Sequence, residues 1–156
     1  MSKPCPPPFA AQFAEVTVDV ETGEVRVEKI VSAIDVGMPV NPSGVDGQND
    51  GGVAQALGYA LCEEMVYDAA GRLVNPRFGS YHIFQAHEMP VLQPITMKTS
   101  EPTGPFGAKA AAEIPIDAVA PAIVNAVTDA TGVRLRPLPL TPERVIHALK
   151  EKGFRM

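Results

Sequence analysis

Phe13-Ala14-Glu15-Val16-Thr17-Val18-Asp19-Val20-Glu21-Thr22-Gly23-Glu24-Val25-Arg26-Val27-Glu28-Lys29-Ile30-Val31 reads as two strands joined by a turn. Phe13, Val16, Val18 and Val20 approximate the two-residue alternation of a half-buried strand. Glu21-Thr22-Gly23-Glu24 breaks it, and Val25, Val27, Ile30 and Val31 resume it. The pattern predicts a β-hairpin over 13–36, closed by Asp35-Val36-Gly37-Met38-Pro39, where Gly and Pro both interrupt a strand. On its N-terminal side, the prolines at 4 and 6–8 make residues 1–12 a Pro-rich tail or linker, so one domain spans 13–156.

On the other side, Val45, Val53, Ala56, Leu57, Ala60 and Leu61 fall at helical spacing and predict a long helix from Pro42 or Ser43 to about Glu64. Asn41 is its N-cap and Pro42 its first residue. Gly44, Gly47, Gly51, Gly52 and Gly58 each cost ~1 kcal/mol inside a helix relative to Ala, so the first half of this helix should lie against something bulky. Met65-Val66-Tyr67 and Arg72-Leu73-Val74 flank a turn at Asp68-Ala69-Ala70-Gly71 and predict a second hairpin. Asn75 to Pro94 reads as loop with a helical turn around Ser80 to Phe84, and Ile95 to Thr99 as a strand. Ile116 to Thr131 is an amphipathic helix stopped by Gly132. Thr141-Pro142-Glu143 caps a last helix to about Lys150. Hairpins alternating with single helices give an α+β two-layer sandwich, antiparallel hairpins packed on helices.

A chain of 156 residues with 46% hydrophobic and 20% charged residues fills one core. It has no run near the ~18 apolar residues of a membrane span. Met1 to Phe9 carries one Lys and four prolines in place of an apolar signal core, so a cytoplasmic location is expected. A net charge of −5 without a Lys/Arg cluster argues against nucleic acid. Cys5 and Cys62 lack zinc or iron–sulfur spacing, nothing in their spacing supports a disulfide, and Cys62 reads as a small buried hydrophobe. His82 and His87 are five residues apart with no third ligand nearby, so no metal site is expected.

The segment richest in chemistry is Glu101-Pro102-Thr103-Gly104-Pro105-Phe106-Gly107-Ala108-Lys109-Ala110-Ala111-Ala112-Glu113-Ile114-Pro115. A loop of Gly, Pro and Ala lets its backbone approach a ligand closely, and the Gly104 to Ala110 amides are candidates to face a phosphate or a ring system. Glu113 stands among apolar neighbours just before a helix. It has two readings: a general base in a dry site, or a carboxylate favoured by the helix N-terminus.

With Asn41-Pro42-Ser43-Gly44-Val45-Asp46-Gly47-Gln48 upstream and Leu138-Pro139-Leu140-Thr141-Pro142-Glu143-Arg144-Val145 downstream, this loop resembles the C-terminal part of the molybdopterin-binding subunit of the xanthine dehydrogenase and aldehyde oxidase family, the molybdenum hydroxylases. The similarity runs from about Phe13 to about Leu149. It implies that Glu113 is the catalytic base in oxidative hydroxylation of an aldehyde or N-heterocycle. It also implies that Gln48, in the dipeptide Gly47-Gln48, reaches the pterin of the molybdenum cofactor, with Gly107, Ala108, Lys109 and Ala110 beside it. A surface Gln48 near a helix start, and a Lys109 paired with phosphate or with solvent, are the plainer alternatives.

Two departures stand out. Ala112 precedes Glu113 where the family usually has Gly, and Asn49-Asp50 follows Gln48 where the family usually has an apolar residue and Glu. If that Gly has positive φ in relatives, Ala112 would be strained by ~1–2 kcal/mol.

One small domain cannot enclose such a cofactor. The resemblance therefore implies partners: the remainder of the molybdenum subunit, and iron–sulfur and flavin subunits or domains. Alone, the chain should be inactive and prone to self-association. Two rival readings remain: a non-catalytic remnant or subunit-interaction domain of the same fold, and an independent small-ligand-binding domain. The latter predicts a closed surface without a large exposed apolar patch.

Overall fold

A computed structural model of the chain describes residues 6–154. The hairpin forms as β1 (Phe9–Val18) and β2 (Val25–Asp35), antiparallel from Phe9↔Asp35 to Val18↔Val25 with one bulge between Glu15 and Val16. β1 begins inside the segment read as tail. Pro6, Pro7 and Pro8 have no amide to give a ladder, and Phe9 and the residues after it do. The tail reading for residues 1–5, and the disulfide question for Cys5, lie outside the described residues. The turn is organised by Asp19, whose Oδ1 accepts from the amides of Glu21 (2.8 Å) and Thr22 (3.1 Å). These bonds hold the Asp19 carboxyl below its ordinary pKa.

α1 (Pro42–Leu61) starts as expected, with the Asn41 side chain accepting from the Gly44 amide at 3.1 Å. At ~1.5 Å per residue a helix of this length spans ~30 Å. It returns the chain to the other end of the sheet, so β3 (Val91–Met97) joins β2 in parallel, from Lys29↔Val91 to Asp35↔Met97. The sheet, ordered β1-β2-β3, is therefore mixed: the antiparallel hairpin of the expected sandwich is present, and β3 adds a parallel strand to it. β3 also starts before Ile95 and includes Pro94, which an edge strand tolerates.

The second hairpin reduces to a single bridge, Tyr67↔Leu73. Asp68 takes the amides of Ala70 and Arg72, and Asn75 that of Val66, so side chains occupy donors a longer ladder would need. Residues 80–84 form no helix; a turn instead closes on the Arg77 carbonyl, which accepts from the Ser80 and Tyr81 amides. The expected helix over 116–131 divides into α2 (Ile114–Asp117) and α3 (Val119–Thr131), and Gly132 stops α3 at φ 67°. α4 (Pro142–Glu151) is capped by Thr141.

The helices cover one face of the sheet, which makes the α+β two-layer arrangement. Ile30 and Val27 from β2, Val53, Ala56 and Leu57 from α1, Val119, Ile123 and Val127 from α3, and Val145 and Leu149 from α4 share one buried cluster. Each large member contributes roughly 1.5–3 kcal/mol by leaving water. The opposite face is bare. Phe9 and Phe13 of β1 are 62% and 64% exposed, and Val91, Ile95 and Met97 of β3 are also exposed. An independent domain with a closed surface does not look like this. No helix among the described residues is long and apolar enough to cross a membrane.

Candidate functional site

The loop of residues 101–109 is folded onto the end of β2 by its own backbone. Gly107 O accepts from the Met38 amide (2.8 Å) and the Glu101 amide (3.1 Å), and the Lys109 amide donates to Val36 O (2.8 Å). Gly37 and Ala108 form an antiparallel bridge, and Gly37, at φ 67°, has no room for a Cβ against the Gly107 carbonyl. The amides of Gly104, Gly107 and Ala108 donate to Glu101 O, Gly104 O and Pro105 O. Most of the amides expected to face a ligand are thus used internally. The amides of Ala110, Ala111, Ala112 and Glu113, just beyond, have no acceptor among the described residues.

Lys109 is paired within the chain. Its Nζ donates to Asp35 Oδ2 at 2.7 Å with the side chain only 8% exposed, and lies 5.1 Å from the centre of the Phe9 ring. Asp35 also accepts from Thr99 Oγ1 (2.5 Å) and the Gly37 amide (3.0 Å). The bond from Lys109, then those from Thr99 and Gly37, pull the Asp35 carboxyl down to a pKa of about 2. Sequence reading passed over Asp35 as a strand end, yet it clamps the loop to the sheet.

The clamp has a consequence for the site. Ala108, Lys109 and Ala111 come to line a groove of about 210 Å³ with Gln48, Gly44, Val45 and Met38. Gln48 is exposed, and its amide group makes no hydrogen bond within the described chain. Gly47, Gly107 and Ala110 lie next to lining residues in sequence but do not line the groove themselves.

Glu113 sits at the N-cap position of α2, where its carbonyl accepts from the Ile116 amide (3.0 Å), but its side chain makes no capping bond and is exposed. The side-chain cap is therefore not formed, and the apolar walls of a dry site are not supplied by this chain. Ala112 has no positive φ, since Phe106 (φ 53°) is alone in that respect among the described non-glycine residues. The strain anticipated at Ala112 does not arise.

A polar chain that sequence reading did not find links β1, β2 and α1 to the start of α2. Asn49, fully buried on α1, donates from Nδ2 to Ser32 O (2.9 Å) and accepts the Ser32 hydroxyl at Oδ1 (2.6 Å). Gln12 Nε2 donates to Ser32 Oγ (2.9 Å) and to Pro115 O (2.6 Å). A second anchor comes from Tyr59, whose hydroxyl donates to Ile116 O at 3.0 Å. Neither contact was within reach of the sequence: Gln12 fell in the segment read as tail and reaches Ser32 only past the register shift at Glu15/Val16, and Pro115 lies 103 residues away.

A larger groove, about 800 Å³, lies elsewhere, between the β2 start, Cys62 and the 82–91 segment. His82 Nε2 meets Glu88 Oε1 there at 2.9 Å, and burial pushes the Cys62 thiol up to a pKa of about 11, which makes it unreactive. No group of three or more His, Cys, Asp or Glu fit to hold a metal occurs among the described residues.

Comparison with known proteins gives one family match and a consistent set of relatives. Residues 2–90 match the family described as molybdopterin cofactor-binding domain, a span that ends before the 101–115 loop. The chain is 38% identical over 145 residues to the probable hypoxanthine oxidase XdhD of Escherichia coli strain K12, covering 92% of this chain and 15% of that one. It is 39% identical over 150 residues to the putative xanthine dehydrogenase molybdenum-binding subunit XdhA of the same strain, covering 96% of this chain and 20% of that one. The aldehyde oxidoreductase structure from Desulfovibrio gigas superposes with a TM-score of 0.84 at 35% identity, over 92% of this chain and 15% of that chain. The chain thus spans a fifth or less of the length of these relatives.

Proposed function

The chain belongs to the molybdopterin cofactor-binding domain family, and from that premise we propose that it forms one wall of a molybdopterin pocket in a molybdenum hydroxylase and carries its general base, Glu113. One observation supports this reading above others. Gln48, Ala108, Lys109 and Ala111 line one groove, and the Gln48 amide and the nearby Ala110 to Glu113 backbone amides have no partner among the described residues. Unpaired donors grouped in this way suit a ligand rich in ring nitrogens and oxygens.

The residues present fit such a group on one side only. Gln48 donates and accepts in the same plane, as pterin edge recognition requires. The free amides supply fixed donors that need no reorganisation. The bound cofactor supplies the redox chemistry by which an aldehyde or N-heterocycle is hydroxylated. Glu113 accepts the proton released in that reaction at its carboxylate, which no capping bond engages. Exposed in this chain, it needs the remainder of the molybdenum subunit to exclude water around it, and iron–sulfur and flavin partners to carry electrons away. The bare sheet face of Phe9, Phe13, Val91, Ile95 and Met97 is consistent with packing against that remainder. A non-catalytic interaction domain of the same fold also accounts for the bare face, and the turnover of Glu113→Gln separates the two readings.

The test is made in the assembled enzyme. Glu113→Gln keeps molybdenum bound and lowers single-turnover rate per molybdenum by about 10²-fold or more. Gln48→Ala lowers molybdenum content with little change in rate per molybdenum. Wild-type single-turnover rate in Glu113→Gln refutes the assignment of the base.

A further inference from the structure

We propose that Asn49, Ser32 and Gln12 form a positioning relay that holds the Glu113 segment in register with Gln48. The inference rests on the reading of Glu113 and Gln48 above, but the relay itself is a matter of hydrogen-bond geometry. α2 is a four-residue helix, too short to satisfy its own last carbonyls. Pro115 O and Ile116 O are such carbonyls, and each finds a donor outside the helix, Gln12 Nε2 and the Tyr59 hydroxyl. Gly52 brings α1 up against Pro115, where a Cβ would meet the Pro115 ring at 2.8 Å. The segment following Glu113 is therefore fixed by β1 and α1 together.

The relay has one direction. Pro115 O only accepts, so Gln12 must present Nε2 to it. Flipping that amide would set two oxygens face to face. With Nε2 also donating to Ser32 Oγ, the Ser32 hydroxyl proton is free to go to Asn49 Oδ1, and Asn49 Nδ2 returns a bond to Ser32 O. The cost shows in Gln12 Oε1, which is buried with no partner. A buried acceptor left unpaired is uncommon, and keeping it indicates that the two donations from Nε2 prevail. Asn49 immediately follows Gln48, so one end of the relay is tied to the groove and the other to the base. This also gives Asn49 its reason. An apolar residue at that place would leave the Ser32 hydroxyl without its acceptor.

Two experiments test the relay. In the full chain, amide hydrogen exchange is followed in peptides covering 113–118, the β1–β2 turn and α4. Gln12→Leu is expected to speed exchange in 113–118 about tenfold while leaving the other two within about twofold. Asn49→Leu, which keeps the Pro115 bond but disorients it, gives a smaller change of the same kind and decides the matter if Gln12→Leu does not fold. Unchanged exchange in 113–118, or an equal rise everywhere, overturns the proposal.

In the assembled enzyme, Gln12→Leu should lower single-turnover rate about tenfold with molybdenum content unchanged. It should have no further effect in a Glu113→Gln background, because it acts through Glu113. Multiplicative losses would mean that Gln12 serves only the fold and would sink the relay. Loosening of 113–118 combined with a fully active Glu113→Gln would instead remove Glu113 from the chemistry and leave the relay standing.

Discussion

Replacing Lys109 by Met removes the ammonium and keeps most of the stem over Phe9, so it isolates the clamp between the 101–109 loop and the sheet. In the wild type, Asp35 titrates near pH 2 when folded and near ~3.9 when unfolded. That difference contributes about 2.5 kcal/mol, shared among Lys109, Thr99 and Gly37, with Lys109 first. Lys109→Met also leaves a largely buried carboxylate without its counter-charge. With the Asp35 side chain 20% exposed, the added cost stays below the ~3–5 kcal/mol of a fully buried pair. The expected loss is about 1.5–3 kcal/mol at pH 7, read as a lower urea midpoint with an unchanged slope.

The sign of the pH dependence follows from a depressed carboxyl. The stabilisation is fully present above the unfolded value of ~3.9 and is lost as pH falls toward about 2, so the gap between wild type and Lys109→Met narrows over that window. In Asp35→Asn/Lys109→Met, part of the loss should be recovered relative to the sum of the single variants. An unchanged urea midpoint in Lys109→Met would refute the clamp and return Lys109 to the pool of groups available to a ligand.

Two further outcomes are expected. Gly23→Ala places a Cβ against Pro142 O and Ile146 at a residue with φ +77°, and should destabilise the chain by about 2–3 kcal/mol in thermal or urea unfolding, through the αL penalty plus overpacking. The isolated chain should self-associate through the bare sheet face, and Phe13→Glu should shift it toward monomer in sedimentation velocity; a wild type monodisperse and monomeric over a wide concentration range would count against an interface there.

The hairpin, α1, the Gly132 stop and the Thr141 cap were legible because each rests on local signals: alternation, a cap residue, a glycine at positive φ. The parallel pairing of β3 was not, because the partner of a strand depends on where a helix delivers the chain rather than on the strand's own residues. The site divides the same way. Gly47, Gln48 and Gly107 to Ala110 could be singled out by motif, and of these Gln48, Ala108 and Lys109 line one groove. Asp35 and Gln12 could not, since an acidic strand end and a glutamine beside a proline run carry no mark of the distant groups, Lys109 and Pro115, that give them meaning. Asn49 was visible only as a departure from the family pattern, and its cause lay on another strand.

Pro94 bears on how this sheet can grow. Within β3 it faces Ser32 of β2, and its ring nitrogen leaves a gap in the row of donors along the strand's outer edge. A strand arriving there, from another part of the same polypeptide or from a second copy, would find the ladder interrupted midway. β1 carries no proline from Phe9 to Val18. The two borders of the sheet are therefore unequal as templates, and β-sheet extension in any larger assembly is expected to proceed from the β1 side, with β3 as the side on which it stops.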